Sequence, residues 1–143
     1  MSLANLFSGN NFEHTVRKYC HDQGWSLSKI NRDIAVLKFH MSSGRKQVLY
    51  IVRYETTLEF SVPSLLQYEA DDAIPHYLST LLLERNSKNK IGFWCIEMIN
   101  GKYIFSYMHN AELSLIDSAY FGRVVRTLIN EVDDFEGSIL ELI

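Results

Sequence analysis

The sequence predicts a single α+β domain in which three helices pack on one antiparallel sheet. Apolar residues recur at intervals of three and four in three segments, and the segments between them alternate in the manner of strands. Short turns can join neighbouring strands, so no parallel crossover is required. At 143 residues the chain has room for one domain, and no linker divides it. We therefore expect residues 1–143 to form one unit.

The first predicted element is a helix. Phe12, Val16 and Cys20 form one apolar face at helical spacing, and Gly24 ends it. A short lead-in strand is expected within 25–30.

Three strands are predicted to follow this helix. Segments 34–41 and 46–55 alternate on either side of a turn at 42–44. A third strand covers 57–62 and is expected to stop at Pro63, because proline cannot donate a hydrogen bond to the sheet.

The second half predicts a helix, a hairpin and a final helix. Asp71 can cap a helix that ends near residue 86. Strands 92–99 and 102–110 flank Asn100-Gly101, whose two residues both accept the positive φ of a tight hairpin turn. A last helix begins after Asp117 and runs to the end of the chain with an apolar face. The predicted order is helix, three strands, helix, two strands, helix.

Composition disfavours some classes of partner. Fourteen Lys and Arg residues against seventeen Asp and Glu residues give a net charge of −3, which provides no field toward nucleic acid or anionic lipid. The beginning of the chain has no apolar run of signal-peptide length, and the longest apolar run, 91–96, is too short to span a bilayer. We expect a cytoplasmic protein in which Cys20 and Cys95 are unpaired core thiols.

The segment from 81 to 140 carries a family resemblance. It contains a helix that ends in Leu82-Leu83-Glu84-Arg85-Asn86, a strand that begins with Gly92-Phe93, the Asn100-Gly101 hairpin, and a final amphipathic helix with Asp133 and Asp134. With the element order, these features resemble the type III secretion chaperone-like fold and, within it, the YbjN family of suggested bacterial sensory transduction regulators. The resemblance implies a homodimer that holds an extended segment of a client protein. It implies no catalytic chemistry.

The second helix and the strand after it are more apolar than one buried face requires. The excess indicates contact with a helix or a second subunit, and the resemblance to the secretion chaperones implies that it forms a twofold interface; a fully intramolecular core is the alternative. The candidate interface residues are Tyr77, Leu81, Leu83, Trp94, Ile96 and Met98.

A second candidate surface mixes aromatic residues and cations on adjacent strands. Such a mixture can stack on single-stranded nucleic acid or face a protein partner. Glu55 and Glu59 dilute its positive charge, so a solvated or partner-facing sheet is favoured and nucleic acid is not expected. The candidate partner residues are Tyr50, Tyr54 and Phe60, with Arg45, Lys46 and Arg53 beside them.

No catalytic, cofactor or metal motif stands out. His14, Cys20 and His21 lie on one predicted helix without enough ligands for a metal, and no nucleophile or phosphate-binding motif is present. The leading hypothesis is a non-enzymatic protein-binding module, chaperone-like or adaptor-like and homodimeric. The alternative is a small-ligand sensor or an enzyme that uses a sheet-end cleft near His40 or His109.

The final helix carries a run of acidic residues without an intervening cation. Two readings are open, a surface for a basic partner and a solvated helix face, and the solvated face is preferred. The residues are Glu131, Asp133, Asp134, Glu136 and Glu141.

Overall fold

The computed structural model describes residues 9–142 as one α+β domain, which confirms the predicted fold class. All six strands form one antiparallel sheet in the order β1-β2-β3-β4-β6-β5. The elements are α1 (Gly9–Gln23), β1 (Lys29–Ile30), β2 (Ile34–His40), β3 (Lys46–Tyr54), β4 (Thr57–Tyr68), α2 (His76–Lys88), β5 (Phe93–Ile99), β6 (Lys102–Glu112) and α3 (Ser118–Leu142). Short 3-10 turns at Asp71–Ala73 and Leu113–Leu115 precede α2 and α3.

The two faces of the sheet differ because successive side chains of a strand point to opposite sides. One face lies under α1 and α3, and α2 packs beside β5. The core under the helices includes Leu37, Leu49, Ile51, Leu58, Phe60, Val62 and Tyr107 from the sheet and Phe121, Val124, Leu128, Val132 and Phe135 from α3. The face that points away from α1 and α3 includes Val36, Tyr50, Val52, Glu59 and Ile104.

Strand β4 is longer than the sequence predicts. The expectation that it stops at Pro63 is wrong, since β4 continues to Tyr68 with a register shift against β6 between Pro63 and Gln67. A bulge can accommodate a proline because the ladder is already interrupted there. The backbone N–H of Leu65 inside this irregularity donates to the Glu136 carboxylate at 2.8 Å.

Helix α2 begins later than predicted. Asp71 starts a 3-10 turn instead of capping the helix, and α2 begins at His76. Pro75 precedes it in an extended conformation, and Ile74 is also extended, with φ −72° and ψ 121°. The residue before a proline avoids the helical region, which separates the turn from the helix.

The hairpin and the start of the last helix agree with the prediction. Asn100 and Gly101 have φ of 52° and 78°, as a two-residue turn of this kind requires. Asp117 caps α3, since its Oδ1 accepts a hydrogen bond from the Tyr120 backbone N–H at 2.8 Å.

Two acidic residues of α3 are buried, so the preference for a solvated helix face is wrong at these positions. Asp133 accepts hydrogen bonds from Ser43 Oγ at 2.9 Å, Arg45 Nε at 3.1 Å and Gln47 Nε2 at 3.1 Å. Glu136 accepts one from Gln47 Nε2 at 2.6 Å. The β2–β3 turn and the start of β3 bring these donors to α3, and charged hydrogen bonds offset the cost of burial.

Candidate functional site

The first candidate surface is formed by α2 and the edge strand β5. We call it the helix–edge patch and define it by Tyr77, Leu81, Leu83, Ile96 and Met98. These five side chains are between 38 and 69% exposed. A pocket of about 170 Å³ opens beside them, between α2 and β5. Leu83 and Ile96 line this pocket together, whereas Tyr77 and Leu81 lie further around α2. Exposed apolar side chains are common at interaction surfaces.

Trp94, the sixth predicted interface residue, belongs to the core of the subunit. It is 4% exposed, and its ring packs against Phe135 at a centroid distance of 5.3 Å. Its Nε1 donates to Glu131 at 2.9 Å. Burial by itself raises the pKa of Glu131, but the hydrogen bonds from Arg85, Trp94 and Asn89 and the charge of Arg85 outweigh it and lower the pKa. We therefore leave Trp94 out of the patch.

The backbone edge of β5 is partly capped. The side-chain amide of Asn86 accepts a hydrogen bond from the Trp94 N–H at 2.6 Å and donates to the Trp94 carbonyl at 3.1 Å. Every second residue of an edge strand points its backbone N–H and C=O away from the sheet. Trp94 does so, and Ile96 and Met98 therefore do so as well, outside the reach of the Asn86 amide. The edge next to the patch can thus pair with another strand.

The second candidate surface is a groove on the sheet face away from α1 and α3, which we call the sheet groove. Its volume is about 590 Å³. Two of the three predicted partner residues lie in it, Tyr50 at 39% exposure and Tyr54 at 57%. The lining residues are Ile34, Tyr50, Val52, Tyr54, Glu59, Ser61, Pro63, Gln67, Glu97, Ile99, Asn100, Lys102 and Ile104.

The sheet curls around this groove. Ser61 lies opposite Met108, and Glu97 lies opposite Ile104, on the two sides of β6. In a flat sheet the Cα atoms of Ser61 and Glu97 would be about 16 Å apart, which is farther than the two side chains reach together. Ser61 Oγ nevertheless donates to Glu97 Oε2 at 3.1 Å. The strands must therefore bend toward the groove, which makes this face concave.

The floor of the groove holds polar groups in apolar surroundings. Burial, and then the neighbouring charge of Glu97, raise the pKa of Glu59. On β6, Ser106 lies between Ile104, which pairs with Glu97, and Met108, which pairs with Ser61, and all three side chains point to the groove side. Ser106 therefore lies beneath the hydrogen bond from Ser61 to Glu97. Its hydroxyl is buried without a hydrogen-bond partner in the described chain.

The third predicted partner residue, Phe60, lies on the opposite face of the sheet. It is fully buried and packs against Phe121 with a centroid distance of 5.8 Å. It pairs with Ile51, one residue from Tyr50, and a shift of one residue along a strand reverses the face. The prediction grouped Phe60 with the tyrosines without knowing this register.

Two of the cations predicted beside the tyrosines are already paired. Arg45 bonds to Asp133, and Arg53 donates from NH2 to Asp33 at 2.6 Å. Neither lines the sheet groove, whose only basic residue is Lys102. The groove is consequently acidic, and the predicted mixture of aromatic residues and cations does not form.

The two histidines proposed for a sheet-end cleft are not brought together. The strand registers place His109 of β6 level with Ala35 of β2, three strands away. His40 lies five residues further along β2, so the Cα atoms of the two histidines are about 20 Å apart. Burial lowers the pKa of His109, whose Nε2 lies 3.0 Å from the Tyr120 hydroxyl and whose Nδ1 accepts from the Gly92 N–H at 3.2 Å. Both ring nitrogens of His109 therefore have partners within the subunit.

The thiols do not have the character of nucleophiles. Cys20 and Cys95 are free. Burial raises the pKa of each to about 12, and for Cys95 the charges of Glu97 and Glu59 add to the effect. Cys20 is a core thiol as predicted, whereas Cys95 is only half-buried, with its Sγ 3.1 Å from the Met108 sulfur.

Within residues 9–142, no group of three or more His, Cys, Asp or Glu side chains is placed to hold a metal ion. The same residues include no helix long and apolar enough to cross a membrane.

Comparison with solved structures confirms the fold inferred from sequence. YbjN from E. coli, for which a role in transcription regulation has been suggested, is 14% identical to this chain, with a TM-score of 0.57 over 83% of this chain and 84% of its own. A chain of the HopA1–SchA chaperone–effector complex is 10% identical, with a TM-score of 0.61 over 94% of this chain and 96% of that chain. No protein-family model and no curated protein sequence matches the chain. At these identities the likeness shows a shared chaperone-like fold, and function has to be argued from the surfaces.

Proposed function

We propose that this protein is a non-enzymatic, homodimeric protein-binding module, chaperone-like or adaptor-like, that holds a segment of a partner protein in the cytoplasm. The observation that carries the proposal is the helix–edge patch, five large exposed apolar side chains on α2 and β5, where the described chain caps the β5 edge only at Trp94. A likeness to a chain of a chaperone–effector complex over 94% of the sequence supports it.

The two surfaces have separate roles in this proposal. The helix–edge patch is the twofold interface, because apolar side chains exposed in one subunit become buried when the same patch of a second subunit covers them. The sheet groove is the partner surface. Tyr50 and Tyr54 there offer large, rigid contact areas at low entropic cost, as residues at binding hot spots do.

The experiment is capture of the tagged protein from lysate of its source organism, with the bound proteins identified by mass spectrometry. Wild type should retain one partner in stoichiometric amount. The double variant Tyr50→Ala with Tyr54→Ala should lose it, since both side chains line the groove and neither belongs to the buried core.

A matched control is the double variant Leu115→Ala with Leu140→Ala. These residues are exposed and apolar and lie outside both surfaces, so the partner should stay bound. Absence of a stoichiometric partner from wild type would contradict the proposal. Equal retention by both double variants would contradict the assignment of the groove.

A further inference from the structure

The sheet groove has an imbalance of charge. Glu59 and Glu97 contribute two carboxylates, and Lys102 is the only basic residue of the lining. The Lys102 ammonium lies 3.5 Å from the Glu69 carboxylate, and in the described chain neither groove carboxylate forms an ion pair. Any partner that fills this groove therefore meets uncompensated negative charge.

This charge costs the empty protein stability, because burial and the neighbouring charge of Glu97 both disfavour the ionised form of Glu59 and raise its pKa. The Ser61 hydroxyl is the one hydrogen-bond donor found for Glu97 in the described chain. The unpartnered hydroxyl of Ser106 lies beneath the same bond. A cation brought into the groove would relieve the repulsion, whereas an anion or an uncharged apolar group would increase the cost of desolvation.

The aromatic residues favour the same kind of occupant. Tyr50 and Tyr54 are partly exposed in this lining, and the face of a tyrosine ring attracts an ammonium or guanidinium group. Apolar side chains from β2, β3 and β6, namely Ile34, Val52 and Ile104, complete the walls. The groove thus combines apolar walls with a negative floor.

We infer that the sheet groove binds a cationic segment of the partner polypeptide, in which a lysine or arginine flanked by apolar residues places its charge against Glu59 and Glu97. That the occupant is a polypeptide rests on the proposed function. That it is cationic rests on the charges of the groove alone.

The test is a selection from a random peptide display library by the full-length protein. Peptides selected by wild type should be enriched in one lysine or arginine flanked by apolar residues. The double variant Glu59→Gln with Glu97→Gln should lose this enrichment. The control variant Glu141→Gln with Asp72→Asn makes the same change in net charge at two exposed positions outside the groove, so it should keep the enrichment.

Fluorescence anisotropy then measures the affinity of the most enriched peptide. We expect binding at least ten times weaker for the groove variant, no change for the control variant, and affinity for wild type that falls as salt is added. Selected peptides without a cation preference would overturn the inference and leave the proposed function intact. Failure to select any peptide would overturn the groove as a peptide site, and capture from lysate would then decide the proposed function separately. A monomer–dimer equilibrium altered by the groove variant would show that a second copy covers the groove, which also overturns the inference.

Discussion

Leu83 offers a quantitative test of the twofold interface. Its side chain is 66% exposed on the helix–edge patch. Full burial of a leucine contributes about 1.5–3 kcal/mol, so burying the exposed two thirds in a dimer contributes about 1–2 kcal/mol per subunit. Because a twofold interface contains the residue twice, Leu83→Ala should weaken the dimer by about 2–4 kcal/mol. This corresponds to roughly a 30- to 900-fold increase in the dissociation constant.

The substitution should leave the subunit folded. Alanine is the best helix former, and the lost side chain contributes little to the core of the subunit. The assay is sedimentation velocity over a series of protein concentrations, with circular dichroism to verify the fold.

Leu65→Ala is the matched control, because Leu65 is also 66% exposed but lies on β4 outside the patch. It should sediment as wild type does. The reasoning fails if the two variants shift the equilibrium equally, or if wild type is monomeric at every concentration.

Three further predictions concern stability. Gly92→Ala should destabilise by about 3 kcal/mol in urea unfolding, because Gly92 has φ +87° and a Cβ there would lie 2.7 Å from Cζ of the buried Tyr107. Gly44→Ala, at φ +92° with open space around it, should cost less, and an equal cost would show that the contact with Tyr107 is irrelevant. Burial lowers the pKa of His109 below 6.5 in the folded state. As pH falls below 6.5, the imidazole of the unfolded chain is therefore protonated before that of the folded chain, and the free energy of unfolding decreases. His109→Gln should flatten this part of a stability–pH curve, and an unchanged slope would contradict the assignment. The pKa of Glu59 is raised by burial, so ionisation destabilises the folded state at neutral pH, and Glu59→Gln should raise the melting temperature there. The gain should vanish at acidic pH, where both states carry the protonated acid, and a gain independent of pH would point to another cause.

Local patterns were sufficient to predict much of the fold. The Asn100-Gly101 turn, the cap at Asp117 and the helical spacing of apolar residues in α3 depend on conformational preferences that neighbouring residues already express. Five of the six residues predicted for the interface are exposed in the subunit, and the interface itself stays a prediction. The excess of apolar residues on α2 and β5 is visible in the sequence.

The exceptions depend on contacts between distant segments. Trp94 on β5 is buried against Phe135 of α3, where Glu131 accepts its N–H. Strand β4 continues past Pro63, and Glu136 of α3 accepts a backbone N–H released at the bulge. Neither partner is near in sequence. Periodicity does not distinguish an acidic residue that faces water from one that meets such donors.

The sequence by itself determined the fold class, the hairpin and the apolar character of α2 and β5, because secondary structure and hydrophobic patterning are local properties. Only the tertiary structure decided which strand residues share a face. The register separated Phe60 from Tyr50 and Tyr54, and the curl of the sheet brought Glu97 within reach of Ser61 and near Glu59. The acidic groove exists only because strand pairing and sheet curvature bring together residues that the chain itself keeps apart.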